Sequence, residues 1–213
     1  MNGALAGLVI LAVGDSHMAY MVSPLHDALQ QQGATVDIYG MCGAMASDWL
    51  TRTTVQCSAA RHNSGGAIVN IQTTPSWVLT DLLTQEHPNL IIVELGDNMA
   101  GYGQLPALPR DFITEQVKDF LLPIKARQIP CVWIGPPWGN DTPPYHKTTT
   151  RTKELSQFLA QLVSPTCSYI DTTSFAQPGE WPTKDGEHLT PASYAKWSQD
   201  IASAIVRLKG QMR

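Results

Sequence analysis

The chain has 213 residues, enough to bury a sizeable core, and we predict that residues 1–213 form one domain. The hydrophobic fraction of 43% is ordinary, the charged fraction of 15% is low, and the net charge is -4 at pH 7. Because the net charge is negative and Lys and Arg are not clustered, these features exclude a role that depends on binding nucleic acid.

The hydrophobic pattern predicts strands that alternate with helices. Apolar runs rich in Val and Ile predict five strands at 8–14, 35–39, 89–95, 131–135 and 167–171. Apolar residues at helical spacing predict helices at 17–32, 77–85, 112–127, 149–162 and 191–209. Residues 51–74 show no clear period, so we predict an irregular loop in which 67–71 is the candidate strand.

This alternation predicts a three-layer α/β/α fold with a five-stranded parallel sheet. The apolar run at 4–13 is too short to cross a bilayer and lacks the basic flank of a signal peptide. We therefore interpret it as part of the buried first strand and expect no transmembrane segment in this chain.

Four cysteines permit three disulfide pairings. Cys42 and Cys57 flank one loop segment, whereas Cys131 and Cys167 each begin a predicted strand. If those two strands are parallel neighbours in register, their Cα atoms lie about 4.8 Å apart, within reach of a disulfide. The alternative is four buried thiols in a cytosolic protein. We expect at least one disulfide and therefore a periplasmic or secreted protein.

Polar and glycine residues follow every predicted strand. They occupy residues 14–17, 40–43, 96–98, 136–140 and, on the loop after the fifth strand, 185–190. In sheets of this kind, ligands bind at the carboxyl ends of the strands. We therefore expect these segments to meet in one site.

Ser16, His188 and Asp185 have the chemistry of an acyl-transfer triad. Ser16 lies on a strand-to-helix turn, where free helix N–H groups stabilise developing negative charge. A serine hydroxyl needs a base, and Asp185 precedes His188 by three residues in a loop that would orient the ring. We predict a serine ester hydrolase in which Ser16 attacks the ester, His188 moves the proton and Asp185 orients His188.

The tetrahedral intermediate needs hydrogen-bond donors for its oxyanion. The backbone N–H groups of Ser16 and Gly43 and the side-chain amide of Asn98 are the predicted donors. Each segment alone has a plainer explanation, since Asp15 with Ser16 is a good helix cap and the other segments are good turns. Their occurrence together, in this order, favours catalysis.

Together these segments resemble the SGNH/GDSL hydrolase family. That family has a Gly-Asp-Ser block after strand one, a glycine block after strand two, Gly-x-Asn after strand three and Asp-x-x-His before the last helix. The matching residues here are Gly14-Asp15-Ser16, Gly43, Gly96-Asp97-Asn98 and Asp185-Gly186-Glu187-His188. The resemblance spans nearly the whole chain. It implies a flavodoxin-like sheet and a serine esterase mechanism without a metal.

Two positions depart from that pattern, because His17 stands where many members have leucine and Met99 where many have aspartate. The Gly-Asp-Ser-His form is similar to SGNH domains that handle acyl groups on bacterial cell-surface glycans. This implies an acylated small molecule or polysaccharide, such as an O-acetyl sugar, as substrate. His17 is a rival base, but its side chain diverges from that of Ser16 on a helix. We expect His17 and Asp15 to line the pocket instead.

Three aromatic residues, Trp138, Tyr102 and Trp181, are predicted at the same edge of the sheet. They are candidates for stacking on sugar faces, and an equal alternative is that they pack loops onto the sheet. Of the three, we predict Trp138 as a substrate contact. His146 lies nearby, in a spacing that indicates no role. Histidines and cysteines lack metal-ligand spacing and there is no phosphate-binding glycine loop, so we expect no metal and no cofactor.

Three alternatives to a carbohydrate O-acetylesterase stay open at this point. The same triad would serve a lipid-ester or thioester hydrolase, for which Leu105 and Leu108 would help to form an apolar groove. It would also serve a glycan O-acetyltransferase. A glycan-binding module without catalysis is disfavoured, because such a module has no need for all three triad residues.

Overall fold

In the computed structural model, described over residues 3–209, a central sheet is covered on both faces by helices. The strands are β1 Val9–Gly14, β2 Thr35–Met41, β3 Thr54–Val55, β4 Ser58–Arg61, β5 Ala67–Asn70, β6 Thr74–Pro75, β7 Leu90–Glu94, β8 Cys131–Ile134 and β9 Cys167–Ile170. The helices are α1 Ser16–Gln31, α2 Leu79–Glu86, α3 Arg110–Ala126, α4 Thr149–Val163 and α5 Pro191–Lys209. Within residues 3–209, no helix combines the length and apolarity needed to cross a membrane.

The five predicted strands form the parallel part of the sheet, in the order β2-β1-β7-β8-β9. This confirms the predicted fold class. Each of these strands is followed by the polar segment that the sequence places there, so the segments gather at one edge. The predicted helices are present with ends shifted by at most a few residues.

The prediction of five strands and of an irregular loop at residues 51–74 is wrong. Strands β4 and β5 extend the sheet to seven strands by antiparallel pairing beyond β2, and β5 lies at the candidate strand 67–71. Strands β3 and β6 form a separate two-stranded ribbon. The Ser-Ala-Ala-Arg sequence of β4 contains no β-branched residue, so its conformation depends on pairing with β2 and not on local propensity.

The parallel strands are apolar on both faces because helices cover both. In β7, Ile91 and Val93 pack in the layer that contains α2, α3 and α4. Leu90 and Ile92 point the other way and pack against α1 and α5. Full burial of one such aliphatic side chain is worth about 1.5–3 kcal/mol, so the two layers together hold the sheet in place.

Helix α1 lies directly against β2, and Gly40 is the residue that permits this approach. A Cβ atom built at Gly40 would overlap the backbone of Ala19 in α1. Because Ser16 is the first residue of the same helix, this contact also sets the position of the predicted nucleophile relative to the sheet.

The four cysteines form two disulfides. Cys131 and Cys167 are opposite each other in the parallel register of β8 and β9, with Cα atoms 4.4 Å apart. Cys42 and Cys57 join the end of β2 to the segment before β4, with Cα atoms 5.0 Å apart.

Replacing both Cys131 and Cys167 by alanine is expected to lower the free energy of unfolding by about 3–4 kcal/mol. The bond closes a span of 36 residues, and removing it restores conformational entropy to the unfolded chain. Urea unfolding of the variant and the wild type, both without reductant, measures the difference. Equal midpoints and slopes for the two proteins would contradict a stabilising role for this bond.

Candidate active site

Ser16 is held at the start of α1 by the residue before it. The Asp15 side chain caps the helix, because its Oδ1 accepts the backbone N–H of His17 at 2.9 Å. The backbone N–H of Ser16 is in the first turn and has no helical acceptor. The hydroxyl and the free N–H of Ser16 therefore lie together at the carboxyl end of β1.

The loop before α5 brings His188 and Asp185 to this serine. His188 Nε2 lies 2.9 Å from Ser16 Oγ, and His188 Nδ1 lies 2.7 Å from Asp185 Oδ2. The second oxygen of Asp185 accepts the backbone N–H groups of Glu187 and His188 at 3.1 and 2.8 Å. The structure thus brings together, in hydrogen-bonding order, the three residues that the sequence analysis selects.

Asp185 is the charged end of this chain of hydrogen bonds. Partial burial would raise its pKa, but the hydrogen bonds from the His188 side chain, and then from the two backbone N–H groups, outweigh burial and lower the pKa. Asp185 is therefore a carboxylate at neutral pH. A carboxylate on Nδ1 leaves Nε2 free to accept the serine proton.

Two backbone donors are available for an oxyanion beside Ser16. Within residues 3–209, neither the N–H of Ser16 nor that of Gly43 has an acceptor. Gly43 has φ +74°, a left-handed conformation that favours glycine. The third predicted donor, Asn98, lines the same cavity, but its Nδ2 already donates to Asp15 Oδ2 at 3.2 Å and to the Ala44 carbonyl at 3.1 Å.

Three residues predicted to contact substrate do not lie where a substrate could touch them. Asp15 and His17 are fully buried beneath Ser16. Trp138 is half-buried and does not line the cavity at Ser16. Its indole N–H donates to the carbonyls of Thr173 and Ala176, so the ring packs the loop after β8 onto the loop after β9. For Trp138 the structure agrees with the packing alternative.

Asp97, in the turn after β7, lies against three polar side chains below the site. Lys147 Nζ donates to its Oδ2 at 2.7 Å, and the Tyr102 hydroxyl donates to its Oδ1 at 2.6 Å. His17 Nε2 also lies 2.9 Å from Oδ2, out of line for a hydrogen bond, while His17 Nδ1 lies 2.8 Å from the Tyr194 hydroxyl. Lys147 is fully buried, so Asp97 is its charge partner.

The neighbours of Asp97 divide into charged and neutral groups. Burial would raise the pKa of Asp97, but the Lys147 ammonium, which donates a hydrogen bond to it, lowers the pKa. Burial and the charge of Asp97 raise the pKa of Asp15 to about 7 and that of Glu187 to about 8. Burial and the nearby carboxylates also raise the pKa of Glu94 well above its usual range. Burial and Lys147 lower the pKa of His17 to about 4, so this ring is neutral.

His17, Asp97 and Glu187 place one ligand-type atom each within 4.8 Å of one another. This spacing suits a metal ion, but the electrostatics do not. The Lys147 ammonium already lies on Asp97 Oδ2, and a divalent cation beside it would be repelled. The cluster is therefore better described as an ion pair with surrounding neutral groups than as a metal site.

The serine opens into a cavity of about 360 Å³, called here the Ser16 cavity. Its lining consists of Ser16, Tyr20, Cys42, Gly43, Gln56, Cys57, Ile71, Asn98, Tyr145, Glu187 and His188. Tyr20, Tyr145 and Glu187 were not predicted as site residues from the sequence. Tyr20 lies one helical turn after Ser16, a spacing that would have found it. Tyr145 lies in an irregular loop and has no comparable signal.

The other residues singled out in the sequence lie away from the Ser16 cavity. Trp181 is buried in the layer with α1 and α5. Tyr102 and His146 line a second cavity, of about 380 Å³, together with Leu105. His146 Nδ1 lies 2.8 Å from Asp141 Oδ1.

No protein-family model matches the chain, but a relative at high identity does. Over 212 residues the chain is 39% identical to protein BcsX of Komagataeibacter xylinus, covering 97% of this chain and 79% of that protein. The chain belongs to the family of protein BcsX.

Solved structures show the fold of this family member. A GDSL-like lipase from Bacteroides thetaiotaomicron VPI-5482 matches with a TM-score of 0.59 and 13% identity, over 93% of this chain and 88% of the lipase. A catalytic mutant of an acetylxylan esterase from Geobacillus stearothermophilus matches with a TM-score of 0.55 and 14% identity, over 97% of this chain and 95% of the esterase. The chain thus has the SGNH/GDSL hydrolase fold, as its sequence blocks predict.

Replacing Lys147 by methionine is expected to lower the free energy of unfolding by about 3–5 kcal/mol, because Asp97 would be left as an unpaired buried charge. The double variant Lys147→Met with Asp97→Asn should recover part of this loss, since it removes both charges. Urea unfolding at neutral pH measures both variants. A single variant as stable as the wild type would show that the ion pair is not needed.

Protein stability is expected to fall as the pH rises from 6.5 to 9. Asp15 and Glu187 have folded-state pKa values of about 7 and about 8, against 3.8 and 4.5 for the ordinary side chains. At a pH between the ordinary and the raised pKa, the folded protein binds a proton that the unfolded chain has released. The stabilisation from each carboxyl group is therefore complete below its ordinary pKa and is lost as the pH rises through its folded-state pKa. Asp97 is ionised in both states across this window and does not contribute to the trend. His17 has a folded-state pKa of about 4 against 6.5 for the ordinary side chain, so it opposes the trend only near pH 6.5, where the unfolded ring still binds protons.

Urea unfolding at several pH values in this window tests the expectation, with a fall on the order of 1–2 kcal/mol. Glu187→Gln removes one of the two titrating groups and should make the fall smaller. A stability that rises with pH in the wild type would contradict the assigned directions.

Proposed function

We propose that the chain is a serine esterase that removes small acyl groups, O-acetyl groups in particular, from carbohydrate. The observation that carries this proposal is the continuous path from Asp185 through His188 to Ser16, which ends in an accessible cavity. It supplies a nucleophile, a base and an orienting carboxylate within hydrogen-bonding distance.

In the proposed reaction, Ser16 Oγ attacks the ester carbonyl while His188 Nε2 takes its proton. The N–H groups of Ser16 and Gly43 then stabilise the oxyanion, and one such donor is worth about 3–4 kcal/mol in the transition state. His188 returns the proton to the sugar oxygen as the ester C–O bond breaks. Water, deprotonated by His188, then attacks the acyl carbon. His188 returns the proton to Ser16 Oγ as the Oγ–C bond breaks, and the carboxylic acid leaves.

The composition of the Ser16 cavity favours a short acyl group. Ile71 and the Cys42–Cys57 disulfide are its apolar lining, and Gln56, Asn98 and Glu187 are polar. A long acyl chain needs an extended apolar channel to leave water. Leu108 is buried in the core, and Leu105 lines the second cavity, so neither supplies such a channel at Ser16. These positions disfavour the hypothesis of a lipid-ester or thioester hydrolase.

Two tyrosines favour a sugar as the alcohol part of the ester. The rings of Tyr20 and Tyr145 lie edge-on to His188, with centroids 5.3 and 5.4 Å from its ring. Tyr20 is 46% exposed and lines the cavity, although its ring already stacks on Tyr194 and lies 4.8 Å from Lys184 Nζ. Aromatic rings with a polar tip suit sugars, which have apolar faces and hydroxyl edges. The acetylxylan esterase of similar fold supports a carbohydrate ester as the substrate.

Ser16→Ala is expected to lower kcat/KM for 4-nitrophenyl acetate by roughly 10⁴-fold or more, because the nucleophile is lost. Ser203→Ala, on the exposed side of α5, is the matched control and should keep wild-type activity. Unchanged turnover in Ser16→Ala would rule out the serine mechanism.

The wild type is expected to prefer acetyl over longer acyl chains, because the cavity offers little apolar surface to a long chain. A series of 4-nitrophenyl esters from acetyl to octanoyl measures this preference. Release of acetate from acetylated xylan and from acetylated β-1,4-glucan oligosaccharides then tests the carbohydrate. A preference for octanoyl esters would contradict the proposed substrate class.

A further inference from the structure

Glu187 is a buried carboxyl that opens into the Ser16 cavity without a protein partner. The residue is 5% exposed and lies between Asp185 and His188 in the chain. It lines the cavity together with Ser16, yet no hydrogen bond joins its carboxyl group to any other part of residues 3–209. Glu187 contacts Asp185 through its backbone N–H, which donates to Asp185 Oδ1, and not through its side chain.

The carboxyl oxygens of Glu187 reach the cavity and are not sealed in the protein interior. A ligand hydroxyl that replaces solvent at this group would form hydrogen bonds that no protein group makes with it. Because the open side of Glu187 is the cavity that contains the nucleophile, a bound substrate is the partner that its position fits.

Titratable groups face Glu187 from the start of α1, from the turn after β7, from the loop before α4 and from its own loop. They are Asp15, His17, Asp97, Tyr102, Tyr145, Lys147, Asp185 and His188, of which Lys147, Asp97 and Asp185 are charged at neutral pH. Burial and Asp97 raise the pKa of Glu187, and Lys147 lowers it less, to a net value of about 8. The side chain is thus a neutral carboxyl group at pH 7.

We propose that Glu187 determines specificity by binding a free hydroxyl group of the sugar, next to the oxygen that carries the acyl group. This inference rests on the proposed esterase function and names the part of the substrate that the site recognises. A neutral carboxyl has one O–H donor and acceptor lone pairs, and a sugar hydroxyl has the same set. Each group can therefore donate to one partner and accept from the other.

The acyl part of the substrate does not compete for this contact. An acetyl group has one strong acceptor, its carbonyl oxygen, and the N–H groups of Ser16 and Gly43 are there to receive it. The remaining polar groups of an acetylated sugar are its hydroxyls. A site built to hydrogen-bond a hydroxyl discriminates strongly against an analogue that lacks it, because its own polar group is then left unpaired.

The test compares two substrates that differ in free hydroxyl groups. One is methyl β-xyloside with a single acetyl group, and the other is the same xyloside with every hydroxyl acetylated; 4-nitrophenyl acetate reports the reaction at Ser16. Glu187→Leu should lower the ratio of kcat/KM for the monoacetylated over the fully acetylated sugar by about tenfold to a hundredfold. Glu115→Leu, exposed on α3, is the matched control and should leave the ratio at the wild-type value.

Glu187→Gln separates a hydrogen-bonding role from a packing role. The amide keeps a donor and an acceptor in the same shape, so the ratio should stay within about threefold of the wild type at pH 7. In the wild type the ratio should change between pH 7 and pH 9, because the ionised carboxyl group accepts hydrogen bonds but no longer donates one, and in Glu187→Gln it should stay constant. Because Glu187→Gln is nearly isosteric, this arm is informative even if Glu187→Leu fails to fold.

Three results would overturn the proposal. They are an unchanged ratio in Glu187→Leu, a ratio in Glu187→Gln as low as in Glu187→Leu, and a preference for a sugar with a free ammonium group, which would require an ionised carboxylate. Failure of the esterase proposal is a different result, since then 4-nitrophenyl acetate turnover would be absent or would persist in Ser16→Ala.

Discussion

The site depends on one interaction, the ion pair between Lys147 and Asp97. Lys147 is fully buried, and its Nζ lies 2.7 Å from Asp97 Oδ2. A buried charge costs several kcal/mol unless it is paired, so neither residue can leave the other without a large penalty. Lys147 comes from a loop with no regular structure, and Asp97 from the turn after β7. The pair therefore fixes that loop, including Tyr145, against the sheet edge where Ser16 lies.

The same ion pair sets the protonation of its surroundings. Four buried carboxyl groups, those of Asp15, Glu94, Asp97 and Glu187, share the interior below the site with the ammonium of Lys147. Asp97 pairs with that positive charge. Burial, and then repulsion from neighbouring carboxylates, raises the pKa values of the other three groups. Asp185, with a side chain 34% exposed and three hydrogen bonds, stays ionised. Environment thus separates the carboxylate behind His188 from the neutral group in the cavity.

The parts of the site that sequence reasoning reached are those tied to strand ends. Once the parallel strands were placed, Ser16, Gly43 and Asn98 had to lie at one edge, because parallel strands share the direction of their carboxyl ends. Lys147 gave no such signal, since a lysine among prolines, tyrosine and threonines normally lies in solvent. The strand β4 was missed for a related reason: its small residues become a strand through pairing with β2.

Gly40 has a consequence for how the protein tolerates mutation. The missing Cβ lets α1 rest on β2, and α1 carries Ser16, whereas His188 comes from a separate loop. A side chain at Gly40 would shift α1, and Ser16 with it, and would leave His188 in place. Reaction geometry is sensitive to shifts of about 1 Å, far less than the shift that unfolds a helix layer. The catalytic alignment thus depends on a buried residue near the carboxyl end of β2, beneath α1, which does not line the Ser16 cavity.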